Sequence, residues 1–235
     1  MRHELVSDTI CFYYGLIAAC TSLLHNIFIV HHIDAFLTVF GISKSAFWIG
    51  ELVFLIWNSL NDPLFGWLTD RHLFNNKNVN TVAYRSCIIS LTAPAFAIAF
   101  LFTWNPCMLQ HLPGIRFALV ICFYDSALTM LVLQHDALLA DLAITSKDRI
   151  RLGTAATFGQ ALAASGIMIV TPWREGYPAA AGILPFTFRC LCTLMAVLSC
   201  LGLWVGATMI AKCFPYRKGF TEKVDWEGHL CKDNL

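Results

Sequence analysis

Three polar side chains lie on one face of an otherwise apolar run. Glu51, Asn58 and Asp62 are seven and four residues apart, which on a helix puts them within about 40° of one another. Acids and amides are costly inside a membrane, so a polar stripe of this kind turns toward a protein interior or a water-filled cavity. There it can bind a polar solute or an ion. The competing role for Asp62 is structural: Pro63 kinks the helix and Asn61 satisfies the backbone groups that the kink frees. A second polar concentration holds Asp125, Gln134, His135, Asp136 and Asp141. Asp125 and Asp136 are eleven residues apart, three helical turns, and so share a face.

The elements that must carry these groups are membrane helices. Of the 235 residues 57% are apolar and only 13% charged, about half the charge of a soluble domain. Mean hydropathy is +0.63. Six segments are long enough to span a bilayer, at about 9–31, 45–69, 83–104, 116–142, 153–172 and 184–212. Together they make an all-α bundle over residues 1–212, with a polar cytoplasmic tail over 213–235. The fifth segment, GTAATFGQALAASGIMIV, is rich in small residues, which suits close packing between helices. Arg189 is expected to reach for the membrane interface.

Orientation follows from the connections. With the N-terminus in the cytoplasm, that side holds Arg2, Arg71, Lys77, Arg85, Lys147, Arg149, Arg151, Lys212, Arg217, Lys218, Lys223 and Lys232, while the other holds Lys44, Arg116, Arg174 and Arg189. Both termini are therefore expected in the cytoplasm. Segments two and four then run the same way, and counting from their centres puts Asp62 and Asp136 at one depth, about 8–11 Å inside the midplane. The two acids are expected to converge on a central cavity.

Several function classes are excluded. A net charge of +1 does not make a nucleic-acid binder. The 10 cysteines lie mostly inside apolar segments and behave as small hydrophobes. His31, His32 and Asp34 lack metal-ligand spacing and are expected in a solvated external loop. No nucleophile elbow, phosphate-cradling loop or zinc motif is present, so neither catalysis, a cofactor nor a metal is expected. The N-terminal run is too long for a cleavable signal and lacks a basic start. His25 and Asn26 are expected to hydrogen-bond between helices, and Trp57 and Trp67 to pack. His135 and Asp136, as neighbours in sequence, are not expected to face each other.

The stretch Trp57-Asn58-Ser59-Leu60-Asn61-Asp62-Pro63, with Gly66 and Asp70-Arg71, resembles the second-helix signature of the glycoside–pentoside–hexuronide:cation symporters of the major facilitator superfamily. Gly66, Asp70 and Arg71 match the first half of the superfamily's motif between helices two and three, a cytoplasmic gate; its second half is missing from HLFNNKNVN. Asp136 lies where that family places a helix-four acid, and Lys147 to Arg151 resemble its basic loop. LLHNIFIV, AFWIGELVFLIWNSLNDPLFGWLTDR and HDALLADLA look like an orphan branch of the superfamily.

The resemblance implies half of a major facilitator fold, six helices in two inverted three-helix repeats. It implies a plasma-membrane carrier for a sugar-like polar solute, coupled to H⁺ or Na⁺. Asp62, Asn58, Glu51, Asp136, Asp125 and Asn61 would line the path. Asn58 stands where the family has an acid, and helix one offers only Ala18, Ala19, Cys20 and Thr21 at that level. The cation site is thus half kept, which weighs against Na⁺. A whole carrier of this type has two such halves. The expected partners, besides the lipid bilayer, are therefore a second copy or a C-terminal half. The alternative is a half-length, non-transporting membrane interaction protein or inactive isoform.

Overall fold

The structure is a computed structural model. It describes residues 6–75, 80–105, 112–173 and 183–214, with backbone alone for 72–75. The expected tail from 215 onward and the middle of the link after segment two lie outside the described residues. The described residues form six long α-helices: α1 (Asp8–Asp34), α2 (Lys44–Asn75), α3 (Thr81–Trp104), α4 (Pro113–Leu142), α5 (Ser146–Val170) and α6 (Phe186–Cys213). A single widened π turn, Ala35–Val39, extends α1, and Gly41 supplies the positive φ of 65° that turns the chain into α2.

Local chemistry sets the helix ends. Ser7 caps α1, Asn80 caps α3, and Thr145 with Asp148 forms a reciprocal capping box on α5. Pro113 opens α4, where its missing N–H costs nothing. At the far end of α3 the orphan carbonyls find a cation. Arg116, buried at the start of α4, donates to the carbonyls of Phe102, Thr103 and Asn105 and lies over the Phe36 and Phe40 rings. Arg189 does not simply reach for the interface: its guanidinium donates to Asn105 Oδ1 at 3.3 Å, at the same helix end.

The principal helix pairs are α1 with α5 and α6, α4 with α2 and α3, and α3 with α6. Exchanging α1 for α4, α2 for α5 and α3 for α6 leaves this set of pairs unchanged. Helices α1 and α4 run in opposite directions, since Tyr14 meets His135 while His25, further along α1, meets Tyr124, earlier on α4. The bundle is therefore two three-helix units related by an inverting two-fold exchange. Helices α1, α3, α4 and α6 bury the core, with Ile17, Leu24, Phe96, Phe100, Phe117 and Phe188 fully enclosed. Helices α2 and α5 flank it.

The small residues of α5 sit where the fold needs them. A Cβ on Gly15 of α1 would come within 2.7 Å of the Ala155 carbonyl oxygen, and one on Gly159 would collide with the Gly15 carbonyl. The two backbones touch, a geometry open only to small side chains.

Among the described residues five helices are long and apolar enough to cross a membrane: α1, α3, α4, α5 and α6 with their flanking turns. Helix α2, at 32 residues, has the length but is not among them. The polar residues that single it out in the sequence also lower its hydropathy. Its buried polar residues, Asn61 and Thr69, lie along a seam against α4.

Candidate functional site

The α2–α4 seam is a ladder of polar contacts set in apolar surroundings. Residues 57, 61, 65 and 69 recur every fourth position and so form one face of α2. Trp57 donates its indole N–H to Ser126 Oγ at 2.9 Å, so it does more than pack. Asn61, with 0% of its surface exposed, donates its amide to the Asp125 carboxylate. It thus serves a neighbouring helix rather than the backbone around Pro63. Further along, the Gln134 amide donates to Thr69 Oγ1 at 3.1 Å, and Thr69 donates in turn to the Phe65 carbonyl.

At the end of α4 the ladder joins α3. Arg85 Nε donates to Asp141 Oδ2 at 2.7 Å, and its Nη1 donates to Gln134 Oε1 at 3.3 Å. One chain of bonds thereby ties α3, α4 and α2 together. The sequence marked Arg85 only as a topological charge and Gln134 and Asp141 only as polar positions. The signal that could have paired them is positional: Arg85 opens α3 and Asp141 closes α4, so a short hairpin brings the two ends together.

The ladder also fixes the register of two parallel helices. Asn61 pairs 64 residues ahead and Thr69 pairs 65 ahead. Asp62 is therefore level with Asp125, and Asp136 is level with Arg71, about 14 Å further along at 1.5 Å per residue. The expected convergence of Asp62 and Asp136 at one depth does not occur. Depth had been counted from the centres of segments 45–69 and 116–142, and α2 continues to Asn75, which moves its centre toward Asp62.

The stripe of Glu51, Asn58 and Asp62 divides. Glu51 is half-buried, while Asn58 and Asp62 are exposed. Asp62 remains within electrostatic range of Asp125. Asp136 is exposed, with 73% of its side chain open, and its carboxylate comes within 3.7 Å of His135 Nδ1, so these neighbours do touch. His135 itself is buried, stacked on Tyr14 at 4.0 Å, with its Nε2 3.2 Å from the Tyr14 carbonyl oxygen.

Gly66 is half-buried, and Asp70 and Arg71 are exposed. The Arg71 guanidinium lies 5.1 Å from the centre of the Trp67 ring on its own helix. Among the described residues the ion pair at this end is Arg85–Asp141, not a clamp through Asp70 or Arg71.

Toward the centre of α1, His25 Nδ1 lies 3.5 Å from the Tyr124 hydroxyl, the expected inter-helix contact. Phe28 stacks between Tyr124 and His32. His31 and His32 belong to α1 rather than to a solvated loop; His31 is buried and within 3.2 Å of Thr171 Oγ1. No group of three or more His, Cys, Asp or Glu among the described residues could hold a metal ion.

Above the Trp57–Ser126 bond, α2 and α4 enclose an open groove of about 410 Å³ walled by Val53, Ile56, Leu119 and Phe123. Its apolar lining suits hydrocarbon rather than a polar solute. The arrangement as a whole can hold a carboxylate and amides inside an apolar bundle, next to a helix face that the described residues leave exposed.

Comparison with known proteins agrees with that arrangement. Residues 13–227 match the family model described as MFS/sugar transport protein. The chain is 39% identical over 210 residues to transmembrane protein 180 of Gallus gallus, covering 86% of this chain and 39% of the relative. It is 38% identical over 209 residues to transmembrane protein 180 of Mus musculus, covering 85% and 38%. The chain thus spans about two fifths of the length of these curated relatives. No solved structure matches it. An all-helical bundle of two inverted three-helix units, with a polar seam inside and a family match over nearly its whole length, belongs to the MFS/sugar transport protein family of the major facilitator superfamily.

Proposed function

We propose that this chain forms one six-helix half of a secondary solute carrier of the plasma membrane, both termini cytoplasmic, for a small polar, sugar-like molecule. The observation that carries this reading is the α2–α4 seam. Asn61 and Asp125 are paired inside an apolar bundle, and Asn58 and Asp62 lie beside them, exposed among the described residues. Groups this costly in a membrane are kept where solute or ion must pass. Glu51, Asn58, Asp62, Asn61, Asp125 and Asp136 would border the path, and Gly66, Asp70 and Arg71 its cytoplasmic mouth. The family match supports a carrier rather than a catalyst. H⁺ is the better candidate for the coupled ion than Na⁺, because the acid set of the cation symporters is only partly kept.

The exposed α2 face requires a covering body, either a second six-helix half or a second copy. The same exposure would serve a non-transporting interaction protein whose partner helix covers α2. Uptake assays in proteoliposomes separate the two readings, with the chain tested alone and as a tandem duplicate against a panel of labelled sugars. Uptake above empty vesicles by the tandem, reduced tenfold or more by Asp62→Asn, supports the carrier. Uptake at the level of empty vesicles across the panel overturns it in favour of the interaction protein.

A further inference from the structure

Helices α3 and α6 leave an apolar groove of about 220 Å³ between them, walled by Pro94, Ile98 and Leu101 on α3 and by Ala196, Val197 and Cys200 on α6. Its floor is low because Ala196 and the neighbouring Ala97, both buried on this seam, are too short to fill it.

One end of the groove carries a polar cap. Arg189 precedes Ala196 by two helical turns and Cys200 by three, so it stands on their face of α6. Asn105, at the end of α3, follows Leu101, Ile98 and Pro94 by one, two and three turns and continues their face. Arg189 Nη1 donates to Asn105 Oδ1 at 3.3 Å and joins the two sides. Asn105 is held in place, its Nδ2 donating to the Leu101 carbonyl at 3.1 Å and its own carbonyl accepting from Arg116.

The cap is short of negative charge. Arg189 is half-buried, its Nε is buried with no hydrogen-bond partner, and no acid pairs with it among the described residues. One neutral acceptor is a poor match for a guanidinium, whose strong partners are carboxylates and phosphates. Arg116 is already engaged with three carbonyls and two aromatic rings, which leaves Arg189 as the cation facing the groove.

We propose that the α3–α6 groove is a phospholipid site, with an acyl chain along the groove and the lipid phosphate on Arg189. The dimensions agree. Eleven residues separate Asn105 from Pro94, about 16 Å of helix, and one leaflet of hydrocarbon is about 15 Å deep. The head group then lies at the helix ends and the chain tip near the midplane. A free anion would use the cap and leave the groove empty; a neutral lipid would use the groove and leave the cation unpaired. A phospholipid uses both. Helix α3 belongs to one three-helix unit and α6 to the other, so the bound lipid clasps the two units together. Such a site needs only a membrane-spanning bundle, whichever side the termini face and whether or not a solute is carried.

Native mass spectrometry of the full chain in detergent, with palmitoyl-oleoyl phosphatidylcholine added, tests this alongside thermal melting of the same samples. The wild type should keep one lipid per chain at collision energies that strip the others, and should melt higher with the lipid than without it. The diacylglycerol with the same chains and inorganic phosphate should each leave the melting unchanged. Arg189→Gln should weaken retention about tenfold or more, and Arg189→Lys should restore part of it. Ile98→Trp, at an exposed groove position, should fill the groove and lose the lipid while melting like the wild type in lipid-free detergent. No retained lipid in the wild type, undiminished retention in Ile98→Trp or Arg189→Gln, or equal binding of the diacylglycerol overturns the proposal. Inorganic phosphate that stabilises as much as the phospholipid overturns it as well, in favour of a free-anion site.

Discussion

Arg85 and Asp141 illustrate what single residues do in this chain. Their side chains are only 13% and 22% exposed, and each has a partner within 2.7 Å. Removing one charge leaves the other poorly solvated, so Arg85→Leu or Asp141→Asn should lower stability by about 3 kcal/mol. The exchange Arg85→Asp with Asp141→Arg should recover part of that loss. Thermal unfolding in detergent, followed by size-exclusion chromatography of the heated protein, measures both. Equal melting of wild type and single variants would show that the pair contributes nothing. The acids were legible in the sequence because they interrupt an apolar pattern. Their partners were not: Asn61 with Asp125, Thr69 with Gln134 and Trp57 with Ser126 are all more than sixty residues apart. Periodicity ranks positions around one helix and carries no information about the helix opposite.

At the scale of elements, the close approach of α1 and α5 rests on absent side chains. Gly159→Ala would press a methyl into the Gly15 carbonyl and should cost about 1–3 kcal/mol. Gly153→Ala on the same helix meets nothing within 4 Å and should leave stability unchanged or raise it by up to about 1 kcal/mol. The same melting assay compares the two, and an equal response would deny that α5 is held by backbone contact. The run GTAATFGQALAASGIMIV announced close packing, but not against which helix. The ends of the helices were less legible than their existence. Helix α1 runs on through His31 and His32 because the imidazole of His32 lies 2.9 Å from the Phe28 carbonyl oxygen and His31 is enclosed by Phe188 and Thr171. The overrun of α2 to Asn75 had the larger consequence, since it shifted the depth assigned to Asp62.

The whole molecule shows one well-buried centre and one helix, α2, that packs chiefly against α4. Its orientation in a membrane is testable without any solute. On a cysteine-free background, Ile183→Cys, exposed between α5 and α6, should react with an impermeant thiol reagent in intact cells. Lys147→Cys, exposed at the start of α5, should react only after permeabilisation. The reverse pattern would invert the topology inferred from the Lys and Arg distribution. By itself the sequence determined the class of molecule and the number of helices, and it marked the polar residues that interrupt them. Each of these depends on composition and on repeats within a single segment. Only the tertiary structure decided the register of α2 against α4, and with it which acid lies beside Asn61. That register is set by side chains on two helices meeting at once, so Asp125, rather than Asp136, shares its level with Asp62.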